Sequence, residues 1–180
     1  MDVRQAEPGD LPYCAALSAS VQSTHVWQLR LGYDPIAPQA HEELGGMLYC
    51  TRLPRPIVVQ PASAEPFEQL WHRAAELLLI EEQDELLGYV ALTISETAGV
   101  TTIARLAVAP EMRRKGIGGA LLRAAGQWSR AVGIETLAAH CAARNHPAAH
   151  FYMRWGLRFA GYSEAFYPRG EIALFFQRPL

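Results

Sequence analysis

Glu111-Met-Arg113-Arg-Lys115-Gly116-Ile-Gly118-Gly119 stands between two stretches of opposite periodicity, and its reading decides the fold. Before it, residues 100–108 read as a strand that Pro110 ends, because proline lacks the N–H a ladder needs. After it, Ile117, Leu121, Leu122, Ala125, Trp128 and Val132 recur at helical spacing, and Gly133 is the natural stop. A strand, a glycine-rich turn and an amphipathic helix gather unpaired backbone N–H groups and the positive end of the helix dipole at one spot. Such a spot suits an anion, and glycines permit the close approach a pyrophosphate requires. The spacing is neither the GxxxxGKS/T of a nucleotide-triphosphate loop nor the GxGxxG of a dinucleotide fold. A glycine-rich helix start also serves plain chain reversal, so the loop alone leaves both readings open.

Working outward, residues 77–82 and 86–95 are apolar runs joined by Gln83-Asp84-Glu85, the pattern of an antiparallel hairpin leading into the 100–108 strand. Downstream, 136–142 reads as a strand, Asn145-His-Pro147 opens a helix that Gly156 closes, and 157–162 and 171–177 complete the sheet. Upstream, 3–6 is a short strand and Asp10 a candidate N-cap for a helix through residue 18. Residues 23–40 are irregular, a helix is expected around 39–50, and four prolines make 53–66 a loop or edge strand. The order predicts an α/β (α+β) chain, one domain over 1–180, with a mixed, mostly antiparallel central sheet flanked by helices.

Composition narrows the function classes. Half of the 180 residues are apolar and 19% are charged, a globular balance that excludes a disordered or low-complexity chain. A net charge of −2 argues against a nucleic-acid partner held by phosphate neutralisation. The charge is unevenly placed: residues 1–100 carry −9 and residues 101–180 carry +7. A basic half beside an acidic half suits a protein that grips an anionic cofactor and attracts a cationic substrate. Cys14, Cys50 and Cys141 form neither a disulfide framework nor a metal-binding spacing, so no metal is expected. No apolar run approaches a bilayer span and the first residues lack a leader pattern, which predicts a cytoplasmic protein without a membrane partner.

The second informative stretch is Asn145-His-Pro-Ala148-Ala-His-Phe151-Tyr152-Met-Arg-Trp-Gly156-Leu157, which adds an aromatic pair to a helix start. Seven residues are nearly two helical turns, so Asn145 and Tyr152 share a face. Together with Arg113 to Gly118, this block resembles the GCN5-related N-acetyltransferase (GNAT) family, whose pattern is R/Q-x-x-G-x-G/A followed by N-x-x-A/S-x-x-L/F-Y-x-x-x-G/F-F/L. The resemblance implies a GNAT fold and acetyl-CoA-dependent acetylation of an amine. It further implies that backbone groups of Leu106, Ala107 and Val108 pair with the pantetheine arm. The loop of Arg113, Arg114, Lys115, Gly116, Ile117, Gly118 and Gly119 would hold the pyrophosphate. Asn145 would bind the cofactor arm, and Tyr152 would protonate the departing thiolate.

Ribosomal-protein alanine acetyltransferases of that family carry a glutamate base five residues before the motif asparagine, where this chain has His140. Alternation places His140 between Ala138 and Ala142 on one strand face, and a pKa near 6.5 would let it accept a proton. Packing in the sheet is the alternative, and Glu111 and Glu96 are further candidate bases. The ending from Tyr162 to Phe176, with Val26-Trp27-Gln28, is similar to streptothricin-type acetyltransferases. Trp27, Tyr33 and Trp71 are candidate aromatic walls for a cationic substrate. The expected acceptor is a small cationic amine. A protein N-terminus, and a non-catalytic acyl-CoA-binding module, remain alternatives, and a homodimer is left open.

Overall fold

The computed structural model describes residues 2–17, 19–31, 46–61, 65–95, 97–167 and 170–180. Residues 87–92 are all buried, because the strand that carries them, β5 (Glu85–Ser95), lies inside a seven-stranded sheet with helices on both faces. β5 pairs antiparallel with β4 (Glu76–Glu82) and with β6 (Val100–Val108). The β4–β5 turn is made by Gln83 (φ 52°) and Asp84 (φ 63°), the left-handed pair that matches strand twist in a two-residue hairpin. β1 (Arg4–Gln5) edges β4, and β7 (Thr136–Ala142), β9 (Ala173–Pro179) and β8 (Arg158–Ser163) follow β6, giving the order β1-β4-β5-β6-β7-β9-β8. Only β6 and β7 run parallel within this sheet.

α3 (Ile117–Ala131) and α4 (His146–Arg154) cover one face, where Ile117, Leu121, Leu122 and Ala125 meet Ile80, Val90 and Leu92 in the larger core. Each large side chain buried there contributes roughly 1.5–3 kcal/mol. The helical spacing read from the sequence is therefore the buried stripe of α3, and Gly133 at φ 81° ends it as expected. α1 (Leu11–Ala16) and α2 (Phe67–Arg73) cover the other face through Cys14, Phe67, Leu70, Leu79 and Tyr89. Asp10 does not cap α1 through its side chain. Its carboxylate instead accepts from the Glu7 N–H (2.7 Å) and the Arg4 guanidinium (2.7 and 2.9 Å), fastening the turn that precedes the helix.

Residues 21–31 and 46–50 depart from the sequence reading, while 53–59 form the edge strand that is one of its two options. β2 (Val21–Leu31) and β3 (Gly46–Val59) form a two-stranded antiparallel arm, so the helix expected over 39–50 is overturned at 46–50; residues 39–45 lie outside the described residues. Met47 to Thr51 are extended because each faces a β2 residue from Arg30 to Val26, a long-range ladder to which local propensity is blind. Pro54 and Pro56 fall in the bulge between the Ser23–Ile57 and His25–Arg52 pairs, where a missing N–H costs nothing. The Trp27 N–H donates to Ala143 O (2.9 Å), which joins the arm to the end of β7.

Candidate active site

β6 bulges at Ala104: Ala91 faces Arg105 and Leu92 faces Ile103. The parallel ladder to β7 runs only from Val100–Thr136 to Ile103–Ala139, while β6 stays paired with β5 as far as Val108 and β7 with β9 as far as Ala142. Two adjacent strands thus part midway. Beyond Ile103, the edge of β6 that leads through Leu106, Ala107 and Val108 has no strand against it among the described residues, and an extended ligand bearing amides could complete it.

At the end of that edge the chain turns through Pro110–Met112, Arg114 (φ 64°) and Gly116 (φ 92°) into α3. The first α3 backbone bond runs from the Ala120 N–H to Gly116 O (3.0 Å), so the amides of Ile117, Gly118 and Gly119 point out of the helix end. The Arg113 Nε–H donates to Val108 O (3.0 Å), bracing the loop against the strand, while Arg114 and Lys115 are exposed. Gly118 and Gly119 have different tasks. A Cβ on Gly118 would approach the Phe151 ring at 3.3 Å, a contact that can yield, whereas one on Gly119 would lie 1.9 Å from Trp155 Cζ2. Gly119 therefore serves helix packing as well as the loop.

Asn145 precedes α4, and its Oδ1 accepts from the Ala148 N–H (3.1 Å), a helix cap that leaves the amide nitrogen and one lone pair of that oxygen for a ligand. Tyr152 is 6% exposed and packs on Phe151 and Phe176. Burial, then Cys141 and Tyr167, push its phenol well above the usual tyrosine range, so the side chain keeps its proton.

His140 lines a cleft of about 470 Å³ whose described walls include Thr102 and Ala104 of β6, Ala138 of β7, Arg73, Phe166 and Phe175. The cleft thus straddles the parted strands. The small neighbours expected on the His140 face are there, but the imidazole is not free: Nδ1 is 2.6 Å from the Tyr167 hydroxyl, and Phe166 meets the ring edge-on at 4.7 Å. Burial, and secondarily the Arg73 charge, push its pKa down to about 4, correcting the expected value near 6.5. Trp27 is absent from the described cleft walls; it lies in the arm, with its ring 6.0 Å from His146. Trp71 packs on Phe67 at 6.3 Å, Glu111 is exposed, and Tyr33 and Glu96 lie outside the described residues. Among the described residues no group of three or more His, Cys, Asp or Glu is placed to hold a metal ion, and no helix is long and apolar enough to cross a membrane.

The profile of the acetyltransferase (GNAT) family matches residues 47–157, which contain the parted strands, the glycine loop, Asn145 and Tyr152. This chain is a GNAT family member. Streptothricin acetyltransferase of Streptomyces lavendulae is 36% identical over 99 residues, 53% of this chain and 52% of that one, so the match spans about half of that relative's length. A putative ribosomal protein bS18-alanine N-acetyltransferase of Bacillus subtilis (strain 168) is 31% identical over 109 residues, covering 59% of this chain and 70% of that one. The crystal structure of nourseothricin acetyltransferase superposes with a TM-score of 0.82 at 25% identity, over 99% of this chain and 97% of that one.

Within this GNAT chain, sequence reasoning missed Tyr167, Phe166 and Arg73. They come from α2 and from the segment between β8 and β9, and only the fold brings them to β7. The depressed His140 pKa has a thermodynamic consequence. Between about pH 6.5 and 4 the unfolded chain binds a proton that the folded chain refuses, so stability falls as pH falls through that window and levels off below it. The wild type should lose about 3 kcal/mol more than His140→Gln across that interval. Urea unfolding at both ends of the window measures it, and parallel losses in the two proteins would show that His140 titrates normally.

Proposed function

We propose that this GNAT protein transfers the acetyl group of acetyl-CoA to the amine of a small cationic molecule of the streptothricin kind. The observation that carries the reading is the parting of β6 and β7 beyond Ile103–Ala139, which leaves the β6 edge leading to the glycine loop uncovered by a described strand, next to the cleft that Ala104 and His140 line. The residues suit acetyl-CoA chemically. Outward amides at Ile117 to Gly119 answer a pyrophosphate, and the β6 edge past Ile103, which no described strand covers, answers the amides of a pantetheine arm. An acceptor amine in the cleft would attack the thioester carbonyl, forming the C–N bond as the C–S bond breaks. Tyr152, buried and protonated, would supply the proton to the departing sulfur, and the amine would lose its own proton to cleft water or to His140. The acidic first hundred residues and the likeness to antibiotic acetyltransferases support a cationic acceptor.

The test is release of free CoA thiol, with acetylated product identified by mass, over streptothricin, aminoglycosides, polyamines and peptides with free N-termini. Faster turnover of a small amine than of any peptide is expected. Preference for peptides would overturn the acceptor class, and acetyl-CoA binding without transfer to any amine would overturn the reaction.

A further inference from the structure

Tyr167 is buried at 7% exposure, and among the described residues the one hydrogen-bond partner of its hydroxyl is His140 Nδ1 at 2.6 Å. A neutral imidazole has one nitrogen that donates and one that accepts, and the bond made at the first fixes the role of the second. A phenol is a much stronger donor than an imidazole N–H, and a buried phenol whose O–H found no acceptor would carry a desolvation cost. The tyrosine proton therefore points at Nδ1. The ring proton is then on Nε2.

We propose that Tyr167 is a positioning residue that fixes His140 as the Nε2–H tautomer, so that the cleft meets a hydrogen-bond donor, and that this donor selects amines flanked by a carbonyl or carboxylate oxygen. The proposal rests on the acetyl-transfer reading for its acceptor and deepens it. An N–H has no lone pair with which to take the ammonium proton, so that proton leaves through cleft water. The surroundings agree with a donor. Phe166 and Phe175 wall the ring at 4.7 and 6.2 Å between centroids, and the only charged side chain among the described walls, Arg73, is cationic. An oxygen held by Nε2–H would be favoured by that charge even though Arg73 is paired with Glu65 (2.7 Å). A bare alkylamine offers nothing for the donor to hold.

Two measurements decide it. The first needs no substrate: two-bond proton–nitrogen correlation spectra of the ¹⁵N-labelled protein near about pH 7, with the His140 signals assigned by their loss in His140→Gln. The wild type should show Nδ1 as an unprotonated nitrogen and Nε2 as a protonated one, and Tyr167→Phe should shift the ring toward a tautomer mixture while leaving the melting temperature close to wild type. Nδ1 found protonated in the wild type overturns the proposal, leaves acetyl transfer intact and returns His140 to the role of base.

The second compares kcat/KM for matched amines, glycinamide against ethylamine and β-alaninamide against propylamine. The amide partner should be preferred by about 10-fold or more, the scale of one hydrogen bond to a site that must otherwise stay unpaired. That ratio should survive in His140→Gln, whose side-chain amide still donates from a similar position, and collapse toward unity in His140→Ala. Collapse in both variants, or no preference in the wild type, overturns the selection claim. Absence of any transfer to any amine is instead the failure of the acetyl-transfer reading, and the spectra stand apart from it.

Discussion

Gly118→Asp is expected to abolish acetyl-CoA binding, raising the dissociation constant at least about 100-fold, equivalent to about 2.7 kcal/mol. Two effects combine at that position. The new Cβ meets the Phe151 ring at 3.3 Å, which costs little because an aromatic edge can give by a few tenths of an ångström. The carboxylate costs much more, since it stands among the outward amides of α3, where the pyrophosphate would lie. Two unit charges 4 Å apart interact by about 4 kcal/mol at an effective dielectric constant near 20. Gly118→Asn supplies the control, with the same bulk and no charge, and should retain most of the affinity that Asp loses. Calorimetry distinguishes them, and near-normal affinity for the Asp variant would remove the loop from the cofactor site. Gly119→Ala should behave differently, because its Cβ would overlap Trp155 and the loss should appear first in the melting temperature.

Tyr152→Phe should lower kcat by about 10²-fold or more, the scale of a positioned general acid. The aromatic ring, which packs 5.6 Å from Phe151 and 5.8 Å from Phe176, remains, so stability and acetyl-CoA affinity should change little. The phenol is held neutral by its burial, and no hydrogen bond to a described residue competes for its proton. A loss confined to kcat, measured with a good acceptor under saturating acetyl-CoA, is the expected result. Wild-type kcat in this variant would make Tyr152 a core aromatic and nothing more.

What the sequence displayed was whatever local chemistry determines. The β4–β5 hairpin, the α3 stripe and the Gly133 stop could be read directly, because a period of two, a period of 3.6 and a left-handed turn residue each leave a mark within a dozen residues. The arm was hidden because Tyr49 and Cys50 owe their extended backbone to Gln28 and Trp27, more than twenty residues away. His140 was located on the right face of β7, but its state was not legible. Its partner Tyr167 lies 27 residues on, and the burial that lowers its pKa is assembled from segments far apart in the chain. Asn145 illustrates a third case. The residue was singled out as a ligand contact, and the fold employs its side chain as a helix cap, a use that spacing alone does not display.

The short ladder between β6 and β7 also makes the sheet a mechanical seam. Four residue pairs join the half built of β1, β4, β5 and β6 to the half built of β7, β9 and β8, whereas the β4–β5, β5–β6 and β7–β9 ladders each hold seven or more. The seam is therefore the natural hinge for opening the sheet, and amide hydrogens along residues 136–139 should exchange with solvent sooner than those buried within β5. A ligand lodged between the diverging edges touches both halves and stitches the seam closed. Its binding would then slow that exchange and raise the melting temperature together, in proportion to the logarithm of its concentration above its dissociation constant.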